Sequence, residues 1–333
     1  MRRAFGLLAR MSAILLIFLS ASLFIAHTLF TSLKQADGPH VENHYFLVKP
    51  GAQSDSLARS LKQAGLIDKA WHYQALHYWR QFSFTPDYMP KAGEYLIPAG
   101  ASLEAIAAIL HKGVPAQRRI TLPEGLTSKE ILARLDTAPG LKGVLPKDVA
   151  EGSLYPDTYF YSYGMSKTQM ILRLQKKMEI ELAEAWAERS DQLPYKTPRE
   201  ALIMASIIEK ETGISGERGL VASVFVNRLN KGMRLQSDPT VIYGIGAADV
   251  KNYVITKSDL QALNAHNTYK IDGLPPTPIS NPGRASLDAA LNPSKSDFLY
   301  FVADGKGGHN FAKTLDAHNK NVRAYRQSLR TKP

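Results

Sequence analysis

"TPREALIMASIIEKETG", residues 197–213, encodes a helix with almost no water-facing side. Thr197 and Glu200 have capping-box spacing: Thr197 can accept from the Glu200 amide while the Glu200 carboxylate reaches back to Thr197. Pro198 falls at the first helical position, where a missing amide proton costs nothing, and Gly213 is placed to end the helix soon after Thr212. Between these signals Leu202–Ile208 carries no charge on any face. The spacing predicts a helix of about fourteen residues, buried on nearly all sides.

Two carboxylates close that helix. Residues two apart lie about 200° around the axis, so Glu209 and Glu211 cannot converge on one bond as a catalytic pair. Glu209 continues the line of Leu202, Ala205 and Ser206, whereas Glu211 continues that of Met204, Ile207 and Ile208. Both stand in the last turn, where the negative end of the helix dipole and partial desolvation raise a carboxyl pKa. A raised pKa is what a general acid needs near neutral pH. Pattern alone leaves each glutamate open between catalysis and a structural ion-pair network. Proximity to the helix end favours Glu211 as the acid, with Glu209 paired to a buried arginine, Arg228 on the next helix.

Upstream, one phrase recurs three times. "YFLVKPGAQSDSLARSLKQAG" from Tyr45, "EYLIPAGASLEAIAAILHKG" from Glu94 and "RITLPEGLTSKEILARL" from Arg119 each hold a β-prone run, a Pro/Gly turn, and Ser or Thr ahead of an amphipathic helix. Leu103, Ile106, Ala107 and Leu110 have helical spacing, with Gly113 set to terminate the helix. Leu57, Leu61 and Ala64 with Gly65 repeat the design. The first two copies resemble the LysM module, a small β and α unit that binds N-acetylglucosamine-containing glycans. The insert "LIDKAWHYQALHYWRQFSFTPDYMPKA" between them departs from a compact repeat, so glycan contact and plain scaffolding both remain open.

The N-terminus is of a different kind. Met11–Leu33 contains no Asp, Glu, Lys or Arg, and at about 1.5 Å per residue it spans a bilayer core. Arg2, Arg3 and Arg10 precede it and Lys34 follows, which by the positive-inside rule leaves the N-terminus in the cytoplasm and exports the rest. A cleaved signal peptide would have a shorter apolar region and a clear small-residue cut site.

With 333 residues, 44% apolar and 21% charged, the chain has the composition of a folded protein with a principal domain and a smaller one. The absence of cysteine excludes disulfides, iron–sulfur clusters and Cys-ligated zinc. A net charge of +11 fits an anionic lipid surface or a carboxylate-bearing wall polymer, or serves solubility alone. Nucleic acid is not expected, since the topology exports the bulk of the chain and no zinc-finger, helix-turn-helix or RNP signature is present.

After Gly140 aromatic residues concentrate in "EGSLYPDTYFYSYG", residues 151–164. Tyr155, Tyr159, Tyr161 and Tyr163 have the flat apolar face and polar tip that suit sugar rings, or else fill a core under a loop. A long helix follows over Lys167–Glu188, with Met170, Leu174, Met178, Leu182 and Trp186 near one face. Further on, Asp238 is placed to cap a short helix "PTVIYG", and His266, Asn267 and Tyr269 precede a Pro-rich loop that they line or brace. "DGKGGHNF", residues 304–311, lacks phosphate-loop spacing and reads as a turn. With no HExxH among nine histidines, His309 and His318 make a poor metal site.

"ASIIEKET", "RLQSDPTVIYG" (234–244), "HNTYKIDGLPPTPISNPG" from His266 and "LYFVADGKGGHNF" from Leu299, in that order, are similar to the MltG or YceG family of endolytic murein transglycosylases. The resemblance implies a single-pass inner-membrane protein that cuts nascent peptidoglycan within the strand, without cofactor or metal. Its partners would be peptidoglycan strands, the inner membrane and cell-wall synthases. It places the catalytic glutamate on the second Glu of "EKE", Glu211; Gln236, Asn267 and Tyr269, from their positions in these stretches, are the candidate substrate contacts. A lone acid fits this chemistry, because the muramic acid C6 hydroxyl is an internal nucleophile and leaves a 1,6-anhydro end, whereas hydrolases commonly need two carboxylates. The expected class is α+β, arranged as a cytoplasmic segment (1–10), an anchor (11–33), a LysM-like subdomain (40–140) and a catalytic domain (141–333). A hydrolytic muramidase and a non-catalytic glycan-binding scaffold are the alternatives.

Overall fold

A computed structural model of the chain describes residues 2–82, 89–214, 216–250 and 253–330. Helices and short strands are mixed throughout, the α+β class read from the sequence. The chain divides into two compact units, Met1–Arg118 and Arg119–Pro333.

The first unit opens with α1 (Arg2–Gln35), of which Arg10–Gln35 is long and apolar enough to cross a membrane, with a mean hydropathy of 2.3. Its last turns are part of the folded unit. Phe30 packs on the hydrophobic core, and Lys34 Nζ lies 3.1 Å from Glu104 Oε1. There follow β1 (His44–Val48), α2 (Ser54–Gln63), α3 (Ala70–Phe82), β2 (Gly93–Ile97) and α4 (Leu103–Lys112). β1 and β2 pair antiparallel, Phe46 opposite Tyr95 and Val48 opposite Gly93. The first two sequence copies are therefore halves of one sheet. Period-2 alternation turns Phe46, Val48, Tyr95 and Ile97 inward onto Leu57, Leu61, Ile106 and Leu110. Ser102 accepts from the Ala105 amide to start α4, and Gly113 ends it at φ +68°, a left-handed position that favours glycine. The insert supplies α3 through its buried Tyr73 and Leu76; its residues 83–88 lie outside the described residues.

The second unit comprises β3 (Arg118–Thr121), α5 (Ser128–Asp136), β4 (Thr158–Tyr161), α6 (Lys167–Ala187), α7 (Pro198–Glu211), α8 (Arg218–Asn230), α9 (Asp238–Gly244), α10 (Lys257–Gln261), α11 (Arg284–Leu291), β5 (Tyr300–Ala303), β6 (His309–Ala312) and α12 (Leu315–Arg330). β3 pairs with β4 and β5 with β6. Because β3 finds its partner near residue 160, the third copy joins this unit, and the division falls after Arg118 rather than at the change of composition near residue 140. Tyr155, Tyr159 and Tyr161 are buried, the last two donating their hydroxyls to Tyr155 O at 2.7 Å and Pro139 O at 2.9 Å. These three rings are core, not a sugar platform.

Helix α6 serves two hydrophobic clusters. Met170, Ile171 and Leu174 pack with Leu122, Ile131 and Leu135, while Met178 and Ala185 face α7, with Leu182 and Trp186 alongside. α7 is the centre of the second cluster. Its Thr197–Glu200 capping box forms as the sequence predicts, and Ala201 and Ile203–Ile208 are all buried. α7 is packed by α6, α8, α9 and α11. The helix stops at Glu211 because Thr212 turns extended (φ −145°); Gly213 takes no left-handed conformation, so the expected glycine cap is not what ends it.

Ile207 has no exposed surface, so Ile207→Ala should leave a cavity and lower unfolding free energy by about 2–5 kcal/mol in a denaturant titration.

Candidate active site

α7 delivers an apolar stripe that finishes in a carboxyl group. Glu211, its last residue, lies on a cleft of about 610 Å³ lined also by Arg228, Gln236, Asp238, Tyr269 and His309, with Phe301 and Val302 as an apolar wall. Burial, and then the charge of Asp238, push the Glu211 pKa up to about 7. A hydrogen bond from Ser237 Oγ to Glu211 Oε1 (2.5 Å) and the charge of Arg228 act the other way, favouring the ionised form. Desolvation is the larger effect, as expected for a carboxyl at the mouth of an apolar core.

Ser237 is held by a buried hydroxyl cluster. Its amide donates to Thr268 Oγ1 at 2.9 Å, its carbonyl accepts from Thr240 Oγ1 at 2.6 Å, and the two threonines bond each other at 2.8 Å. Ser237, rather than Asp238, occupies the cap position of α9 and makes no side-chain cap there, because its hydroxyl is spent on Glu211. Asp238, read from sequence as the cap, instead begins the helix, lines the cleft and accepts the Tyr269 hydroxyl at 2.7 Å.

Glu209 faces away from this chemistry. Its Oε2 accepts the Gly283 amide at 3.0 Å and its Oε1 lies 3.6 Å from Arg218 Nη2, which is also 3.8 Å from Glu124. It ties the end of α7 to the starts of α8 and α11. The expected partner, Arg228, is committed elsewhere: its guanidinium donates to the carbonyls of Leu299 (2.7 Å) and Leu235 (2.9 Å) and to Gln236 Oε1 (3.1 Å). Arg218, ten residues nearer in sequence, takes the ion pair.

Of the sequence-derived contacts, Gln236 and Tyr269 reach the cleft and Asn267 does not. Gln236 has φ +53°, the only non-glycine left-handed residue among the described residues, and is pinned by Arg228 and by its amide on Thr268 O. Asn267 is fully buried; its amide donates to Ala262 O at 2.7 Å and its oxygen accepts from the Tyr269 amide at 3.0 Å, so it shapes the loop that presents Tyr269. His266 is bonded through Nε2 to Thr277 Oγ1 and faces a separate cavity beside Tyr243. Sequence reasoning missed Ser237, Arg228 as a cleft residue, and His309; nothing in spacing marks a serine one position before a helix as a carboxyl's partner. Among the described residues no three His, Asp or Glu side chains converge to hold a metal ion.

The YceG-like family model matches residues 46–324. An endolytic murein transglycosylase of Bacillus subtilis is 32% identical over 317 residues, covering 86% of this chain and 85% of that protein. A protein of the same name from Streptococcus pneumoniae is 28% identical over 322 residues, 83% of this chain but 57% of that longer protein. A crystal structure of a yceG-like protein from Listeria monocytogenes covers 84% of this chain and 99% of its own at 31% identity, with a TM-score of 0.53.

Glu211 titrates from an ordinary 4.5 to about 7 on folding, so the fold favours its protonated form. That preference is intact below the ordinary value and is lost as pH rises through 7. Glu211→Gln, neutral at every pH, should match the native chain near pH 4 and exceed its stability at pH 8 by up to about 3 kcal/mol, read from urea titrations at both pH values.

Proposed function

The chain belongs to the YceG-like family, and on that premise we propose that it is an endolytic lytic transglycosylase, cutting the bond from N-acetylmuramic acid to N-acetylglucosamine within nascent peptidoglycan. The observation that carries this is Glu211, a carboxyl with its pKa pushed up to about 7 on a cleft wide enough for sugars. At neutral pH such a group is populated both as acid and as base. As the acid, Glu211 gives its proton to the glycosidic oxygen and the anomeric C–O bond breaks. As the carboxylate it takes the proton of the C6 hydroxyl while that oxygen bonds to the anomeric carbon, giving a 1,6-anhydro end and restoring the acid. The tethered hydroxyl supplies the proximity that a water would lack.

The other cleft groups have supporting roles. Ser237 fixes the direction of the carboxyl, Asp238 raises its pKa, and Tyr269 and Gln236 offer a hydroxyl and an amide to sugar groups. Arg228 holds the strained Gln236 backbone in place. Asp238 favours one second reading, a muramidase in which a second carboxylate directs water. Its engagement by Tyr269 and its effect on Glu211 fit a tuning group better. A non-catalytic glycan scaffold would have no use for a raised carboxyl pKa.

We place α1 in the inner membrane with the N-terminus cytoplasmic, on the strength of Arg2, Arg3 and Arg10 before the apolar run, and the two folded units in the periplasm near cell-wall synthases. The first unit is proposed as a LysM-like element that touches the same strands. Pull-down of uncrosslinked glycan by the full chain, with and without substitutions on the first unit's surface, addresses that role.

Glu211→Gln should lower strand cleavage by about 10²-fold or more with the fold intact, measured on uncrosslinked strands with product ends assigned by mass spectrometry. Anhydro ends are expected; reducing ends would favour the muramidase. In the native chain kcat/KM should decline as pH rises through about 7, because the acid form of Glu211 is lost there.

A further inference from the structure

"DGKGGHNF" (304–311) reads as a simple turn, yet its folding is directed at one side chain. Asp304 Oδ1 accepts from the amides of Lys306 (2.7 Å) and Gly308 (2.9 Å), and its own amide donates to Gly308 O at 2.8 Å. The turn so closed pairs Ala303 with His309 and sets His309 as the first residue of β6. Glu217 stands at the cap position of α8 but makes no side-chain cap. Both its oxygens go to His309: Oε1 accepts the backbone amide at 3.0 Å, and Oε2 accepts ring Nδ1 at 2.7 Å. A Cβ on Gly308 would lie 2.8 Å from Glu217 Oε1, so glycine leaves the carboxylate its room. Phe301 stands edge-on to the imidazole, centroids 5.3 Å apart at 89°.

The amide bond alone would staple the loop. The ring bond does something further, because a carboxylate only accepts and therefore fixes the proton of the neutral imidazole on Nδ1, which leaves Nε2 of that form as a lone-pair acceptor. Nε2 has no partner among the described residues, and the ring lines the cleft that Glu211 enters. Beside it in the same lining, on the same face of the hairpin, are Phe301 and Ala303, both apolar. An acceptor next to an apolar wall complements one substituent of an N-acetylated sugar closely: the acetamido group, whose N–H needs an acceptor and whose methyl needs dry contact.

We propose that His309, oriented by Glu217, is a substrate-binding residue that accepts the acetamido N–H of the sugar reacting at Glu211, with Phe301 and Ala303, on the same hairpin face as His309, covering the acetyl methyl. The subsite selects N-acetylated over de-N-acetylated strands and sets the sugar's angle to the Glu211 carboxyl. It rests on the transglycosylase function proposed above.

The test is a cycle of two strands and four proteins. The full-length native chain, His309→Ala, His309→Gln and Glu217→Gln are assayed on uncrosslinked N-acetylated glycan and on the same glycan de-N-acetylated. The native chain should prefer the acetylated strand by about 10- to 100-fold in kcat/KM, because the de-N-acetylated sugar keeps N–H donors but loses the methyl that Phe301 covers and brings an ammonium charge against that apolar ring. Without His309 the buried acetamido N–H goes unpaired, a cost that a hydrated ammonium escapes. His309→Ala should flatten that preference, and His309→Gln, whose amide oxygen still accepts, should restore part of it. Glu217→Gln donates to Nδ1 instead, which moves the ring proton to Nε2 and turns it toward an N–H as a second donor; preference should fall although the ring remains. If His309→Ala does not fold, Glu217→Gln carries the decision. Variants that cleave both strands more slowly but keep the native preference overturn the subsite and leave the transglycosylase function standing. A native chain that cleaves neither strand overturns both.

Discussion

The second unit is organised around the need to bury α7 completely and still let its last residue reach a cleft. Ala201 and Ile203–Ile208 leave no face for water, so neighbouring helices must enclose the helix on every side. Their enclosure stops one turn short of the C-terminus. What emerges there is a carboxyl whose ionisation is opposed by the same apolar core that holds the helix. The raised carboxyl pKa and the hydrophobic packing are thus one arrangement seen from two ends, and Glu209 illustrates the difference that two residues make. Rotated about 200° away, it meets Arg218 and the Gly283 amide and becomes a brace between helices.

Around Glu211 the protein uses neutral hydroxyls where a cation would have been the simpler partner. A direct arginine pair would hold the carboxylate ionised and remove the acid. Arg228 is near enough to contribute charge, but its hydrogen bonds are spent on backbone carbonyls and Gln236. Ser237 supplies a directional bond without a charge, and Thr240 and Thr268 keep it aimed.

Local chemistry was legible in the sequence and long-range pairing was not. The Thr197 capping box, the Gly113 terminus and the α6 face follow from spacing within one or two turns, and all three form. The choice of Arg218 over Arg228 depends on where α8 begins relative to α7, which no periodicity encodes. The first two strand–turn–helix copies look like repeats because each carries the same local signals; that their strands pair with each other is decided by which hydrophobic faces meet. Asn267 shows the limit at the site itself. A polar residue beside Tyr269 satisfies the description of a ligand contact, and only its burial and its spent hydrogen bonds reveal a loop brace. Glu217 and His309, 92 residues apart, are joined by the hairpin that the turn motif closes.

The sharing of α6 between two hydrophobic clusters bears on how this unit comes apart. One rod has its N-terminal turns in the cluster of Leu122 and Ile131 and its C-terminal turns in that of α7. Neither cluster can dissolve without stripping half of the rod's burial and exposing the other, so the β3–β4 region and the helix bearing Glu211 form a single cooperative element. A disturbance at the far end of α6 is felt at the carboxyl as a change in population of intact sites, while the geometry of each surviving site stays the same.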